Sequence, residues 1–203
     1  MIRRALPGDV ARVHALVERG YRGDSARQGW THEADLLDGQ RIDAEAVAAI
    51  VADPKQSMLL AQVDETLLGC VVIADSDAGL AYLGMLAVDP ARQARGTGRA
   101  LVAAAQALAH EAFGATRIEM TVIARRTGAL GVARLFATCT AMRTPFYSEV
   151  DPLCRTRVPD DRRFGLPRTL DLDFAVLERT IGSVAESNAA LPLIAAGPAL
   201  SLG

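Results

Sequence analysis

The densest chemistry in the 203-residue chain lies in residues 89–99, Asp-Pro-Ala-Arg-Gln-Ala-Arg-Gly-Thr-Gly-Arg. The stretch is rich in glycine and arginine and runs straight into a segment with helical periodicity. At a helix N-terminus, backbone N–H groups without intrahelical partners and the positive end of the helix dipole attract an anion. Gly96 and Gly98 let the backbone approach such a ligand, because no Cβ stands in the way. Arg92, Arg95 and Arg99 add positive charge. A pyrophosphate suits this turn. A Walker-type loop would need Lys-Ser/Thr after its last glycine, and no lysine follows here; a dinucleotide fingerprint would need a glycine three residues after Gly98, where Leu101 stands. What the chain carries is Gln93-x-x-Gly96-x-Gly98. A glycine-rich turn without a ligand is the other reading.

The elements that must position this turn are legible on both sides. Residues 81–88 are apolar and predict a buried strand. Within 98–113, Leu101, Val102, Ala105, Leu108, Ala109 and Ala112 form a helical stripe, with Gly114 placed to end it. Residues 117–124 predict the next strand. Upstream, 2–6 predict a short strand ending at Pro7-Gly8, and Asp9 suits the N-cap of a helix carrying Val10, Val13, Leu16 and Val17 to about residue 19. Asp43 caps a second helix over 44–51. Strands over 57–63 and 66–74 flank the Asp64-Glu65 turn as a hairpin, with Gly69 marking a bulge or a close backbone contact. The order β-α-α-β-β-β-α-β makes a mixed sheet. Farther on, the pattern predicts a helix over 127–143, a strand over 144–150, a loop over 151–168 and a closing strand over 170–181. One domain over 1–183 is expected. The tail, 184–203, is apolar; it docks on the body or on a second subunit, or it frays.

The strand, the Asp-Pro turn, Gln93-x-x-Gly96-x-Gly98 and the amphipathic helix together resemble the acetyl-CoA motif of the GNAT N-acetyltransferase superfamily. The likeness spans residues 2–125 and returns near 170–181. It implies an α/β (α+β) fold: a mixed, mostly antiparallel sheet with helices on both faces and a V-shaped splay between two central parallel strands, 81–88 and 117–124. It implies acetyl-CoA as cosubstrate and no metal. The pantetheine arm would pair with Leu86, Ala87 and Val88 like an added strand. The pyrophosphate would meet the loop of Gln93, Ala94, Arg95, Gly96, Thr97, Gly98 and Arg99. A main-chain N–H near Leu86 would face the thioester oxygen.

The implied reaction is direct attack by a primary amine, from a small molecule or a peptide. A lysine-type amine has a pKa near 10.4, so exposing its free base at neutral pH costs about 4–5 kcal/mol, and a general base helps. Glu119, on the second splayed strand, suits that role, directly or through a water, or else it is a solvent-facing strand residue; Glu33 and Asp35 are alternative bases. The polar stretch after the first helix holds Tyr21, Trp30 and Glu33, which suit an acceptor-binding loop; Trp30 could equally pin that loop to the body.

One departure bears on catalysis. The family usually places a tyrosine on the helix after the second splayed strand, as proton donor to the leaving thiolate. Residues 127–142 contain no tyrosine, and Phe136 is their only aromatic. Tyr147, or Tyr82 on the first splayed strand, could substitute, though neither stands at the motif position; without an acid the thiol still leaves as thiolate and catalysis is slowed rather than abolished. The departure leaves open a CoA-binding protein with weakened catalysis and a regulatory or structural role.

Composition sets further bounds. A net charge of −2 with dispersed arginines and 4% aromatic residues argues against a nucleic-acid surface. No apolar run reaches membrane-spanning length, so no membrane partner is expected. Cys70, Cys139 and Cys154 are sparse and odd in number, which suits reduced thiols in a cytoplasmic protein; Cys70 sits in an apolar run as a small core residue. A homodimer through the tail is the one self-association the sequence suggests.

Overall fold

Two consecutive runs of apolar residues, long enough for strands and separated only by Asp64 and Glu65, pair with each other. They are β3 (Gln56–Val63) and β4 (Thr66–Asp75), and this hairpin is the middle of the molecule. The computed structural model describes residues 1–22, 37–123, 155–157, 166–167 and 173–181. In chain order the other elements are β1 (Ile2–Arg4), α1 (Val10–Tyr21), β2 (Leu37–Asp38), α2 (Ala44–Ala52), β5 (Leu80–Val88), α3 (Thr97–Phe113), β6 (Arg117–Ile123), β7 (Arg155–Arg157), β8 (Leu166–Pro167) and β9 (Asp173–Thr180). Seven strands form one sheet in the order β1-β3-β4-β5-β6-β9-β7, and β2 pairs with β8 separately. All neighbours are antiparallel except β5 and β6, which are joined by the crossover helix α3, as a parallel pair requires.

Helices cover both faces. Leu101, Val102, Ala105 and Ala109 of α3 bury against Val71, Ile73, Leu83 and Ile118. Val13, Leu16 and Val17 of α1 and Val47 of α2 bury against Met58, Leu60, Cys70 and Val72 on the other side. Because alternate residues of a strand serve opposite faces, the central strands must be apolar throughout, as β4 is. The mixed sheet and its two helical layers agree with the sequence expectation.

Several local expectations change. Asp9 does not cap α1: its carboxylate takes two hydrogen bonds from Arg3, at 2.6 and 2.7 Å, and one from the Leu6 N–H at 2.9 Å. It therefore closes the single 3-10 turn Pro7–Asp9 back onto β1, and α1 follows without a side-chain cap. Asp43 does cap α2, accepting from the Ala46 N–H at 2.6 Å, and Gly114 ends α3 in the left-handed region at φ 62°. Helix α1 runs on to Tyr21, past the expected end, so Gly20 and Tyr21 belong to the helix rather than to the following loop. The short strands β7 and β8 lie inside the stretch expected to be loop, and β2 was not expected. The predicted helix over 127–143, the predicted strand over 144–150 and the tail over 184–203 lie outside the described residues.

Candidate active site

Strands β5 and β6 pair only at their beginnings. The register runs Leu80↔Arg117, Ala81↔Ile118 and Tyr82↔Glu119 and then stops, although β5 continues to Val88 and β6 to Ile123. This is the V-shaped splay, and its cause is visible in β5. Against β4, Gly84 faces Val72 and Ala87 faces Cys70, so Met85 and Leu86 together oppose Val71. That is a β-bulge, with Met85 in the left-handed region at φ 48°. The bulge also re-phases the strand. Ala81 and Leu83 bury toward α3, and so do Leu86 and Val88, which would otherwise face the opposite side.

Beyond the bulge, the direction of the backbone groups follows from pairing. The Asp89 N–H donates to the Leu68 carbonyl at 2.9 Å. Two residues earlier, Ala87 takes the next hydrogen-bonded position opposite Cys70. In planar trans peptides the carbonyls of Leu86 and Val88 then point away from β4, and so does the Val88 N–H. The splay is thus lined by the Val88 N–H and by the carbonyls of Leu86 and Val88, each of which already accepts one side-chain hydrogen bond and keeps a second lone pair. Gly69 allows this geometry: a Cβ there would lie 2.7 Å from the Ala87 carbonyl and 3.0 Å from Leu101 Cδ1.

The strand then delivers the chain into the glycine-rich turn. Asp89 Oδ1 accepts from the Ala91 N–H at 3.0 Å and opens one 3-10 turn, Pro90–Arg92, while Asp89 Oδ2 lies 3.6 Å from Arg19 of α1. Gln93 Nε2 donates to the Val88 carbonyl at 3.2 Å, folding the turn back onto the end of β5. Ala94 and Gly96 adopt left-handed conformations at φ 63° and 85°. Gly96 is the N-cap of α3, with no side chain capping it; the first intrahelical bond is Ala100 N–H to the Gly96 carbonyl at 3.0 Å. The N–H groups of Thr97, Gly98 and Arg99 precede that bond, and Arg92, Arg95 and Arg99 are exposed around them. Leu86, Ala87, Val88 and the 93–99 loop are therefore contiguous: a strand edge leading to a positively charged helix end. These groups suit acetyl-CoA, with amide pairing for its arm and N–H donors for its pyrophosphate.

Glu119 and Tyr82 stand side by side at the vertex. Ile118 and Met120 bury toward α3, so Glu119 takes the α1–α2 face; Ala81 and Leu83 put Tyr82 on that face by the same alternation. Both are half-buried, and the Tyr82 ring leans along its strand over Gly84. Tyr21 is buried at the end of α1, with its hydroxyl on the Leu86 carbonyl at 2.8 Å and the Arg41 guanidinium 5.2 Å from its ring centre. It belongs to α1 rather than to the loop that follows, and its hydroxyl meets the carbonyl that points away from β4. Trp30, Glu33 and Tyr147 lie outside the described residues. Cys70, beside the bulge, is fully buried, and desolvation pushes its thiol pKa up to about 12. It stays protonated at neutral pH and cannot serve as an acyl-accepting nucleophile.

Sequence reasoning missed the bulge and the bracing roles of Tyr21 and Gln93. The bulge left no trace in the sequence, because β5 is apolar throughout and offers no alternation to break.

The profile of the Acetyltransferase (GNAT) family matches residues 18–136, more than half of the chain, and the protein belongs to that family. No curated protein sequence matches it. Among solved structures, yncA of Salmonella typhimurium, solved with its cofactor acetyl-CoA, superposes with a TM-score of 0.57 at 16% identity, covering 94% of this chain and 98% of that one. Spermidine N-acetyltransferase from Vibrio cholerae in complex with CoA and spermine gives 0.58 at 13% identity, covering 89% and 94%. The PaiA N-acetyltransferase from Thermoplasma acidophilum in complex with coenzyme A gives 0.56 at 14%, covering 89% and 98%. At these identities the likeness is one of fold. The protein is accordingly an acetyltransferase of this family. Among the described residues, no helix is long and apolar enough to cross a membrane.

Proposed function

We propose that the protein transfers an acetyl group from acetyl-CoA to a primary amine by direct attack. The observation that carries this is the parting of β5 and β6 after Tyr82 and Glu119, with β5 leading on into the Gly96 helix start. In this reading the stretch Leu86-Ala87-Val88 holds the pantetheine arm by strand-like pairing through the outward groups of Leu86 and Val88, and Gln93 through Arg99 hold the pyrophosphate. The Leu86 N–H stabilises charge that develops on the thioester oxygen, and Glu119 takes the amine's proton directly or through water. The attack is direct in this reading, and the enclosed Cys70 beside the splay, its thiol pKa raised by burial, is a poor acyl acceptor. A thiol near pKa 8.5 departs as thiolate without obligatory acid help, so a tyrosine on the following helix is dispensable; Tyr147 is the residue assigned to assist. Trp30 and Glu33 are assigned to the acceptor side. The Vibrio cholerae enzyme's complex with spermine supports a small-molecule amine as acceptor.

The test of the cofactor half is calorimetric titration with acetyl-CoA. The native chain should bind, and Gly96→Glu should weaken binding by at least about 100-fold through bulk and charge at the helix end. No Cβ-level clash exists there, but φ 85° strains any side chain, so Gly96→Ala is the control and should keep most of the affinity. Equal binding by the native and Gly96→Glu proteins would remove the loop assignment.

A further inference from the structure

Leu86 is the second residue of the bulge, and both sides of its backbone are anchored. On one side, Cys70 Sγ contacts the Met85 carbonyl at 3.8 Å. The N–H of Leu86 belongs to the same planar peptide and points opposite to that carbonyl. On the other side, the Leu86 carbonyl points opposite to the Ala87 N–H, away from β4, and there the buried Tyr21 hydroxyl donates to it at 2.8 Å. Tyr21 comes from α1, 65 residues away in sequence, and its ring is 6% exposed. Its orientation is held from outside by Arg41, whose chain segment is itself fixed to α1: Glu18 Oε1 accepts from the N–H groups of Arg41 at 2.7 Å and Ile42 at 3.1 Å. A bulge disrupts the ladder locally and leaves its extra residue without a strand partner. At this bulge the Tyr21 hydroxyl supplies the Leu86 carbonyl with a partner from outside the sheet.

We propose that Tyr21 is a positioning residue for acetyl transfer. By holding the Leu86 carbonyl, it fixes the direction of the Leu86 N–H toward the thioester oxygen. The assignment rests on the reading of the splay as the acetyl-CoA site. It makes the end of α1 part of the electrostatic apparatus, acting through the backbone of Leu86 and touching no reacting atom.

The test follows the carbonyl stretch of acetyl-CoA labelled with carbon-13 at the thioester carbonyl, free and bound to the full chain. The native protein should move the band to lower wavenumber. Tyr21→Phe keeps the ring and its Arg41 contact; it should lose about half or more of that shift, with acetyl-CoA affinity changed by less than about threefold and kcat lowered about tenfold. Equal shifts in the two proteins overturn the assignment of Tyr21 and leave the cofactor site standing. Absence of binding by the native chain overturns both. If Tyr21→Phe fails to fold by circular dichroism, 2,3-difluorotyrosine at position 21 decides the matter. It is a stronger donor of the same shape and should increase the shift; an unchanged shift overturns the proposal.

Discussion

Tyr82 and Glu119 are the last facing residues of the parallel pairing between β5 and β6, and both present their side chains on the α1–α2 face. Beyond them the strands separate, so this pair closes the vertex of the splay. If Glu119 is the proton acceptor, Glu119→Gln should lower kcat/KM toward a lysine-type amine by about 100-fold or more, with acetyl-CoA affinity unchanged. A fall of less than twofold would make Glu119 an ordinary strand residue.

Gly69 is where the sheet, β5 and α3 come closest. A methyl group at 2.7 Å from the Ala87 carbonyl and 3.0 Å from Leu101 Cδ1 cannot be accepted without moving backbone. Gly69→Ala should cost about 2 kcal/mol, within the range for overpacked cores, and lower Tm by about 4–8 °C. Because the displaced atoms belong to the splay strand, acetyl-CoA affinity should fall with it. Thermal denaturation and titration on the same preparation check both.

Asp9 links pH to stability. Its buried carboxylate is held below the usual aspartate range, first by the hydrogen bonds from Arg3 and then by the Leu6 N–H and the nearby charges, against the opposing cost of burial. The unfolded group titrates near pH 3.9. The stabilisation is therefore fully present above that value and is lost as pH falls through the lower folded pKa. Urea denaturation at a series of pH values should show this acid limb in the native protein and a flatter one in Asp9→Asn. At pH 7 the variant should be less stable by about 2 kcal/mol, because Arg3 loses its two-oxygen partner.

Burial also decides the behaviour of Cys70. With its pKa near 12 and its side chain enclosed, it should resist alkylation by iodoacetamide at pH 8 and become reactive only in denaturant. Peptide mapping by mass spectrometry reads this residue separately from Cys139 and Cys154. Rapid native labelling at Cys70 would contradict the burial, and an acetyl group recovered on it after incubation with acetyl-CoA would contradict direct attack.

Much of this arrangement was legible before the fold was known, because it rests on local rules. The stripe from Leu101 to Ala109 marked α3, Asp43 and Gly114 marked helix ends through their capping chemistry, and Gln93-x-x-Gly96-x-Gly98 located the start of α3 at Gly96. The rest depended on partners distant in sequence. Asp9 has the sequence context of a cap, but Arg3 from β1 reaches its carboxylate first. Tyr21 follows a helical stripe into a polar stretch and so resembles a loop residue; only the packing of α1 on β5 brings its hydroxyl to Leu86. The bulge at Met85 shows only in the register between two strands, and the uniformly apolar sequence of β5 carries no sign of it.

The central claim is acetyl transfer to an amine. It is tested most directly by following CoA thiol release from acetyl-CoA over a panel of polyamines, small primary amines and peptides with free N-termini, with the product identified by mass. Release that requires at least one amine, with a mass gain of one acetyl group on that amine, is the predicted result. Saturable acetyl-CoA binding with no amine-dependent release on any member of the panel would contradict it and leave a CoA-binding protein of the same fold.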